Sequence, residues 1–187
     1  MKIIIVGAGK VGYSVAKILS EEGHDITVID RNPETITHLS NELDVICVEG
    51  SATNHETLLG AGAAEADLLM AATQQDEVNM VCGITARKLG TKHVIARIRD
   101  TEYLRQTEFL REVLGLSITI NPEYECAKEI ARILRFPSAA RVDTFSKGSV
   151  EIVEHRVRER GKLDGMKLKD LSSVCGAKVL VSVVERG

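Results

Sequence analysis

Three glycines and one aspartate near the start of the chain have the residue types and spacing of a site for a phosphate-bearing ligand. Gly7, Gly9 and Gly12 form the pattern G-x-G-x-x-G at the end of a short apolar run, where a helical pattern begins. Gly7 would permit a tight turn, Gly9 would let backbone amides approach a pyrophosphate, and Gly12 would let helix and strand pack closely. Asp30 ends a second apolar run eighteen residues after Gly12, and its carboxylate would accept hydrogen bonds from ribose hydroxyls. A glycine-rich turn that only joins a strand to a helix explains neither the three glycines nor the acid, so the pattern favours dinucleotide binding.

Further candidate ligand-binding residues follow the other predicted strands. In an open parallel sheet the ligand lies over the carboxyl ends of the strands, beside a helix N-terminus whose free N–H groups favour phosphate. Asp30 favours an unphosphorylated ribose, and therefore NAD(H) or an adenine nucleotide over NADP, although Arg31 beside it could hold a 2′-phosphate. Lys10 would either reach a phosphate or remain solvated, and Arg97 would either hold phosphate or pair with surface acids. The candidates besides the glycines and Asp30 are Lys10, Val11, Arg31, Ser51, Ala52, Thr53, Ala72, Thr73 and Arg97.

The remaining charged residues offer no catalytic constellation. Asp76 and Glu77 open a predicted helix, where acids complement the helix dipole with or without a ligand. Glu123 stands at another predicted helix start, as either an ordinary N-terminal acid or a metal ligand. The five histidines show neither metal-ligand spacing nor a nucleophile–base motif. Hydride transfer also needs a substrate domain with an acid–base group, which the last fifty or so residues lack, so we expect no enzyme activity.

The composition is that of a globular protein from a reducing compartment. The 187 residues are 44% hydrophobic and 27% charged, with a formal net charge of −3 and no tryptophan. Neither a basic field nor an aromatic stacking platform is present, which disfavours nucleic acid as a partner. Cys47 and Cys82 are expected to be buried free thiols, which fits the cytoplasm. No apolar run approaches the roughly 20 residues that span a bilayer, and the N-terminal run is too short for a signal peptide, so no direct membrane insertion is expected.

The alternation of short β-branched runs with helical patterns predicts an α/β domain over residues 1–136, with the doubly wound parallel sheet of the Rossmann fold. After the N-terminal strand, the sequence predicts strands at Asp25–Ile29, Val45–Val48, Leu68–Ala71, His93–Ala96 and Ser117–Ile120. Gly90 should end the helix that follows the fourth strand. One helix should run from Thr101 to Leu114, and it has more apolar side chains than it needs to cover its own sheet. Together with the sixth strand and the helix after Asn121-Pro122-Glu123 it is a candidate subunit interface, the alternative being that these side chains complete the core of the monomer. These side chains are Tyr103, Leu104, Phe109, Leu110, Val113 and Leu114.

Residues 137–187 are expected to form a linker and a small, truncated C-terminal α+β domain. The sequence predicts strands, a turn and a short helix, at Val142–Phe145, Lys147–Gly148 (the turn), Val150–Val157, Leu163–Leu171 (the helix) and Lys178–Val184. So few elements leave an exposed strand edge and a thin core, which fits either a truncated domain or one that a partner completes.

Several motifs occur in one order along the chain. The glycine pattern is followed by Asp30-Arg31-Asn32-Pro33, Gly50-Ser51-Ala52-Thr53, Ala72-Thr73 with Asp76-Glu77-x-Asn79, and Asn121-Pro122-Glu123. With these motifs the chain resembles, over nearly its whole length, the regulatory subunits of Trk-type potassium uptake systems, which are built on the regulator-of-potassium-conductance (RCK) domain. The resemblance implies a cytoplasmic subunit that binds NAD(H), with ATP or ADP as competing ligands. It also implies a homo-dimer or ring that gates a membrane potassium-transport subunit from the inner face of the membrane.

The resemblance assigns roles to individual residues. Gly7, Gly9 and Gly12 match the phosphate loop, and Asp30 matches the acid that binds ribose. Lys10 falls where some members have a basic residue that faces phosphate, and Glu123 falls where some have a cation-binding carboxylate near the subunit interface. Ser51 departs from the pattern, because the family often has Asp after the preceding glycine.

Two other functions fit part of the sequence. An NAD-dependent oxidoreductase would need a catalytic domain from elsewhere, and a regulator of a cation–proton antiporter would share the domain but not the partner. The resemblance alone, and no residue chemistry, identifies potassium as the transported ion.

Overall fold

The computed structural model describes residues 1–135, 141–145, 150–175 and 180–186. The chain divides into two compact units, Met1–Cys126 and Ala127–Gly187. The boundary expected after residue 136 falls beside residues outside the described ranges, and it stays a prediction.

Unit 1 contains a six-stranded sheet in which every strand pairs with its neighbours in parallel. Its strands are β1 (Lys2–Val6), β2 (Asp25–Asp30), β3 (Ile46–Glu49), β4 (Leu68–Ala71), β5 (His93–Arg97) and β6 (Ile118–Ile120). The order across the sheet is β3-β2-β1-β4-β5-β6, so the chain reverses its direction of winding between β1 and β4. This arrangement confirms the doubly wound parallel sheet, and it puts the switch point at the carboxyl end of β1, where the glycine pattern begins.

Seven helices flank and follow these strands. They are α1 (Lys10–Glu21), α2 (Pro33–Glu42), α3 (His55–Gly60), α4 (Asp76–Leu89), α5 (Thr101–Arg105), α6 (Thr107–Leu114) and α7 (Pro122–Arg135). Buried residues form two clusters, one with Ile3 and Ile5 of β1 and the other with Ile4 and Val6. Because successive strand residues point to opposite faces, β1 contributes to both cores, which explains its unbroken apolar sequence.

The predicted helix over Thr101–Leu114 is two helices, α5 and α6, that break at Gln106. Gln106 leaves the helical conformation with φ −110° and ψ 17°, and its N–H donates to the carbonyl of Tyr103 (3.0 Å). Neither glycine nor proline marks this break in the sequence. Tyr103 of α5 and Leu110 of α6, on the two sides of this break, both pack against the same core cluster.

The cysteines only partly follow expectation. Cys82 is a buried free thiol, as predicted. Cys47 is free but only partly buried, because β3 is an edge strand and one side of it lacks a neighbour. Cys126 is free and exposed.

Unit 2 contains an antiparallel hairpin of β7 (Arg141–Phe145) and β8 (Val150–Glu154), then a 3₁₀ turn (Leu168–Asp170) and α8 (Leu171–Cys175). The hairpin confirms a small additional β element after the large sheet. The predicted turn at 147–148 lies outside the described residues.

Three expectations for unit 2 were wrong in detail. The second strand ends at Glu154 rather than Val157, before arginines that alternate at 156 and 158 and would repel each other on one strand face. Residues 163–167 are not helical, since Gly165 has a φ of 69°, which a right-handed helix does not accept. Residues 180–184 of the last predicted strand have no strand structure, and residues 178–179 lie outside the described ranges.

No helix in the described ranges has the length and apolar character needed to cross a membrane.

Candidate nucleotide-binding site

The three glycines of the phosphate-loop pattern meet different neighbours. Gly7 has a φ of 92°, and a Cβ there would lie 3.0 Å from the backbone N of Thr73. A Cβ at Gly12 would overlap the carbonyl oxygen of Gly7. At Gly9, by contrast, a Cβ would meet no atom within 4 Å. Gly7 and Gly12 are therefore required by the fold, whereas Gly9 leaves open space above the loop.

The N-terminus of α1 has no capping side chain and no acid of its own. Its first helical hydrogen bond runs from the N–H of Tyr13 to the carbonyl of Gly9 (2.8 Å), so the amides of Lys10, Val11 and Gly12 have no acceptor in the helix. Gly9 supplies no capping side chain, and the first turn contains no acid. Each of the other helices of this series has a side-chain cap, an acid in its first turn, or both: α2, α3, α4, α5, α6 and α7. Free N–H groups and a helix dipole with no acid in the first turn favour the binding of an anion.

Asp30 lies beside the glycine loop and has two backbone partners. Its Oδ2 accepts the N–H of Ala8 at 2.7 Å, and its Oδ1 accepts the N–H of Asn32 at 2.9 Å. The carboxylate therefore joins the glycine loop to the turn before α2. The side chain is partly exposed, and each oxygen keeps lone-pair capacity for a hydroxyl donor. The sequence predicted that Asp30 binds ribose, which stays a prediction, but it did not reveal that Asp30 fixes the loop.

The predicted residues after β2, β3 and β4 lie around the same edge. Lys10 and Arg31 are exposed. The N–H of Gly50 donates to the carbonyl of Asp30 (2.9 Å), which brings the segment with Ser51 and Thr53 next to the acid. The two hydroxyls of that segment lie 2.9 Å apart. Ala52 and Ala72 are buried, so their side chains shape the loops from below.

Arg97 is held by residues of its own chain. Its side chain is 8% exposed; Nη1 donates to the carbonyl of Thr73 (3.0 Å), and Nη2 pairs with the carboxylate of Glu123. Burial, followed by the nearby charge of Arg99, lowers the pKa of Arg97. Its ligand contact stays a prediction, because the structure shows that intrachain partners occupy two of its nitrogens.

Glu123, the predicted metal ligand, also has a partner within its own chain. The ion pair with Arg97 takes up part of its carboxylate, and the described residues include no group of three His, Cys, Asp or Glu side chains placed to hold a metal. Its cation-binding role therefore stays a prediction.

Two buried polar side chains on α4 complete the edge, and neither was among the predicted site residues. Asn79 is fully buried; its Oδ1 accepts both the N–H (2.9 Å) and the hydroxyl (2.7 Å) of Thr73, while its Nδ2 donates to the carbonyl of Arg97 (2.8 Å). The Oδ2 of Asp76 accepts the N–H groups of Arg99 and Asp100, each at 2.8 Å. Asp76 therefore anchors the segment after β5, besides complementing the dipole of α4. The sequence signal for this pair was the motif Asp76-Glu77-x-Asn79 after Ala72-Thr73, which carried part of the resemblance but had no assigned role.

A concavity of about 500 Å³ lies at the opposite, amino-terminal edge of the sheet, beside Lys2, Asp25 and Asp44. It includes none of the predicted site residues. The predicted nucleotide-binding residues lie at or after the carboxyl ends of the strands, and none of them lines this concavity.

Comparison with known proteins shows which family the chain belongs to. Residues 3–122 match the model of the TrkA-N domain. The chain belongs to the TrkA-N domain family. It is similar to the Trk system potassium uptake protein TrkA homolog of Archaeoglobus fulgidus, at 40% identity over 171 residues, which cover 91% of this chain and 39% of that protein. The chain therefore spans about two fifths of the length of this curated relative.

Solved structures share the fold of unit 1. The TrkA-N domain of the inner membrane protein ybaL from Escherichia coli has a TM-score of 0.63 at 22% identity, covering 71% of this chain and 96% of that one. The GsuK channel bound to NAD has a TM-score of 0.56 at 24% identity, covering 76% of this chain and 24% of that one. GsuK has also been solved bound to ADP, with a TM-score of 0.56 at 24% identity and coverage of 64% and 31%.

Proposed function

We propose that this chain is the nucleotide-binding part of a regulator of Trk-type potassium uptake. In this proposal it binds NAD(H), and ATP or ADP competes for the same site. The observation that carries the proposal is the N-terminus of α1, which has neither cap nor acid and lies beside Asp30. Support comes from the TrkA relative and from the NAD-bound and ADP-bound channel structures that share the fold.

The chain's residues would divide the ligand between them. The free amides after Gly9 would receive the phosphates, and Lys10 would add a positive charge from the exposed side of the loop. Asp30 would accept the ribose hydroxyls, because its oxygens retain acceptor capacity after the two backbone bonds. Ser51 and Thr53 would offer hydroxyls on the far side of the acid.

The proposed role is regulation rather than catalysis. A ligand shifts a conformational equilibrium only by the difference in its affinity for the two states. We place that equilibrium in a homo-dimer or ring on the cytoplasmic face of a membrane potassium-transport subunit, where the nucleotide would change the geometry between subunits. NAD(H) would then act as an effector and would leave chemically unchanged.

Titration calorimetry with NAD, NADH, ATP and ADP tests the site. Gly9→Val should abolish binding of all four ligands, since its side chain would fill the open space in which the phosphates meet the amides. The fold should survive, because Gly9 has an extended backbone that valine adopts (φ −68°, ψ −174°) and the new Cβ meets no atom within 4 Å.

Gly60→Val is the matched control. Gly60 at the end of α3 also has nothing within 4 Å of its missing Cβ, and it lies outside the glycine loop. Nucleotide binding should persist in this variant. Tight binding by a folded Gly9→Val protein would show that the phosphates lie elsewhere, and NADH oxidation that depends on a small metabolite and on a residue of this chain would contradict the regulatory role.

A further inference from the structure

A basic concavity follows the β7–β8 hairpin in unit 2. Its volume is about 320 Å³, and its lining consists of His155, Arg156, Val157, Arg158, Gly161, Lys162 and Leu163. Three of these side chains are cationic and none is acidic. The volume is at the lower end of the range for sites that hold small molecules.

The loop beside this basic concavity has a hydrogen-bonded backbone. The N–H of Gly161 donates to the carbonyl of Arg158 (2.9 Å), and the N–H of Asp164 donates to the carbonyl of Gly161 (3.1 Å). The Asp164 carboxylate accepts the N–H of Arg160 (2.8 Å), which has a φ of 58°. No other non-glycine residue in the described ranges has a positive φ. A left-handed arginine is unfavourable by itself, so surrounding bonds must hold it, and such residues concentrate at functional sites.

The cationic side chains of the basic concavity form no ion pair in the described part of the chain. Arg156, Arg158 and Lys162 take part in none of its ion pairs. The nearby Asp164 directs a carboxylate oxygen to a backbone amide. Like charges gathered around one hollow repel each other, and an anion bound between them removes that repulsion.

We propose that the basic concavity is a second ligand site, which takes a phosphate-bearing group independently of the glycine loop. Guanidinium groups donate paired N–H bonds to phosphate oxygens, which suits Arg156 and Arg158, and Lys162 adds a point charge. A free phosphorylated metabolite and an anionic lipid headgroup present this same chemistry. The small volume favours one phosphate-bearing group over a polynucleotide.

Pyrophosphate is the probe for the free-ligand source, and it is titrated into the full chain carrying Gly9→Val, so that the glycine loop does not contribute. We expect saturable binding at a single site. Adding Arg156→Gln and Arg158→Gln should lower the affinity by about tenfold or more, as the loss of charged hydrogen bonds does. The variant with both substitutions, the double-glutamine variant, is also made without Gly9→Val. If it still binds NAD, its unit 1 is folded.

Arg160→Gly is the matched control. It removes the same charge from a neighbouring residue outside the lining of the concavity, and glycine accepts a φ of 58°. The pyrophosphate affinity should fall by a clearly smaller factor than in the double-glutamine variant, since the lost charge belongs to a side chain outside the lining.

Vesicles separate the two sources of phosphate. Co-sedimentation with phosphatidylcholine vesicles containing phosphatidylglycerol, but not with pure phosphatidylcholine, and its loss in the double-glutamine variant, would assign a lipid headgroup. Pyrophosphate binding without co-sedimentation would assign a free ligand. Absence of both, or equal losses in Arg160→Gly and the double-glutamine variant, would overturn the proposal.

Discussion

The Asp30 carboxylate fixes the glycine loop, and in our proposal it also binds ribose. It fixes the glycine loop through the N–H groups of Ala8 and Asn32, and in the proposed complex it also accepts ribose hydroxyls. Two of the hydrogen bonds that hold the loop and the following turn therefore depend on the side chain that would recognise the sugar. A substitution there must affect both stability and binding.

Asp30→Ala should weaken NAD or ATP binding by about 1–3 kcal/mol, the usual loss for a charged hydrogen bond. The ligand-free protein should also lose about 1–2 kcal/mol of unfolding free energy, because two backbone donors lose their acceptor. Calorimetry and urea unfolding measure the two effects. Asp25→Ala, at the opposite and exposed end of β2, is the control that should retain affinity. Wild-type affinity in Asp30→Ala would reject the ribose assignment.

The described cysteine side chains differ in their access to reagents. Burial raises the pKa of Cys82 to about 12 and also raises the pKa of the partly buried Cys47. Because the thiolate is the reactive form, we expect iodoacetamide at pH 8 to modify the exposed Cys126 first and Cys82 only on unfolding. Mass spectrometry over a time course gives the order, and early alkylation of Cys82 in the native protein would contradict its burial.

Helix α4 connects the carboxyl ends of β4 and β5 through Asn79. Asn79→Ala removes the partner of the Thr73 amide and of the Arg97 carbonyl at once, so it should lower the unfolding free energy by about 2–4 kcal/mol. Thr85→Ala on the same helix removes only a hydroxyl that bonds within the helix, and it should change stability by less than about 0.5 kcal/mol. Urea unfolding of both variants tests this, and equal effects would show that the buried network adds nothing.

The elements of unit 1 were predictable because each has a local signal. The G-x-G-x-x-G pattern marked the turn from β1 to α1, and Gly90 ended α4 with a φ of 124°. The predicted ends of β2, β3, β5 and β6 differ from the observed ends by one residue at most. Apolar runs and turn residues are near neighbours in sequence, so these features need no knowledge of the fold.

The features that the sequence did not reveal depend on distant residues. The break at Gln106 follows from packing of Tyr103 and Leu110 on the core, and no local breaker announces it. The bonds from Asp76 to Arg99 and from Arg97 to Glu123 join residues more than twenty positions apart. The hairpin of unit 2 has only two strands, so few cross-strand bonds define where each strand ends. The sequence pattern therefore predicted those strand ends less accurately.

At the scale of the whole molecule, regulation requires subunits that move relative to each other. A single nucleotide domain has no second body to act on, whereas a dimer or ring adds up small changes between copies. Unit 1 offers a surface for such a contact on α6. Phe109 and Val113 are each 61% exposed, and their spacing of four residues places them on one helix face.

The other apolar residues of the predicted interface mostly serve the core. Tyr103, Leu110 and Leu114 pack against the buried cluster, and the side chain of Leu104 is outside the described part of the structure. Helix α6 therefore has one apolar face toward its own sheet and a second toward solvent. The second face is the one that a neighbouring copy would cover.

We expect the protein to be at least a dimer in solution, and Phe109→Asp to weaken that assembly. A carboxylate in an apolar contact loses its hydration without gaining a partner, while in the monomer the same carboxylate stays in water and leaves the fold intact. Light scattering at micromolar concentration should give at least twice the 20.4 kDa chain mass for the wild type and a lower mass for the variant, with nucleotide binding retained. Leu59→Asp, which replaces an exposed apolar residue of α3, is the control and should keep the wild-type mass. A wild-type monomer, both with and without NAD or ATP, would rule out assembly through α6, and the regulatory proposal would then need another way for the nucleotide domain to act on its partner.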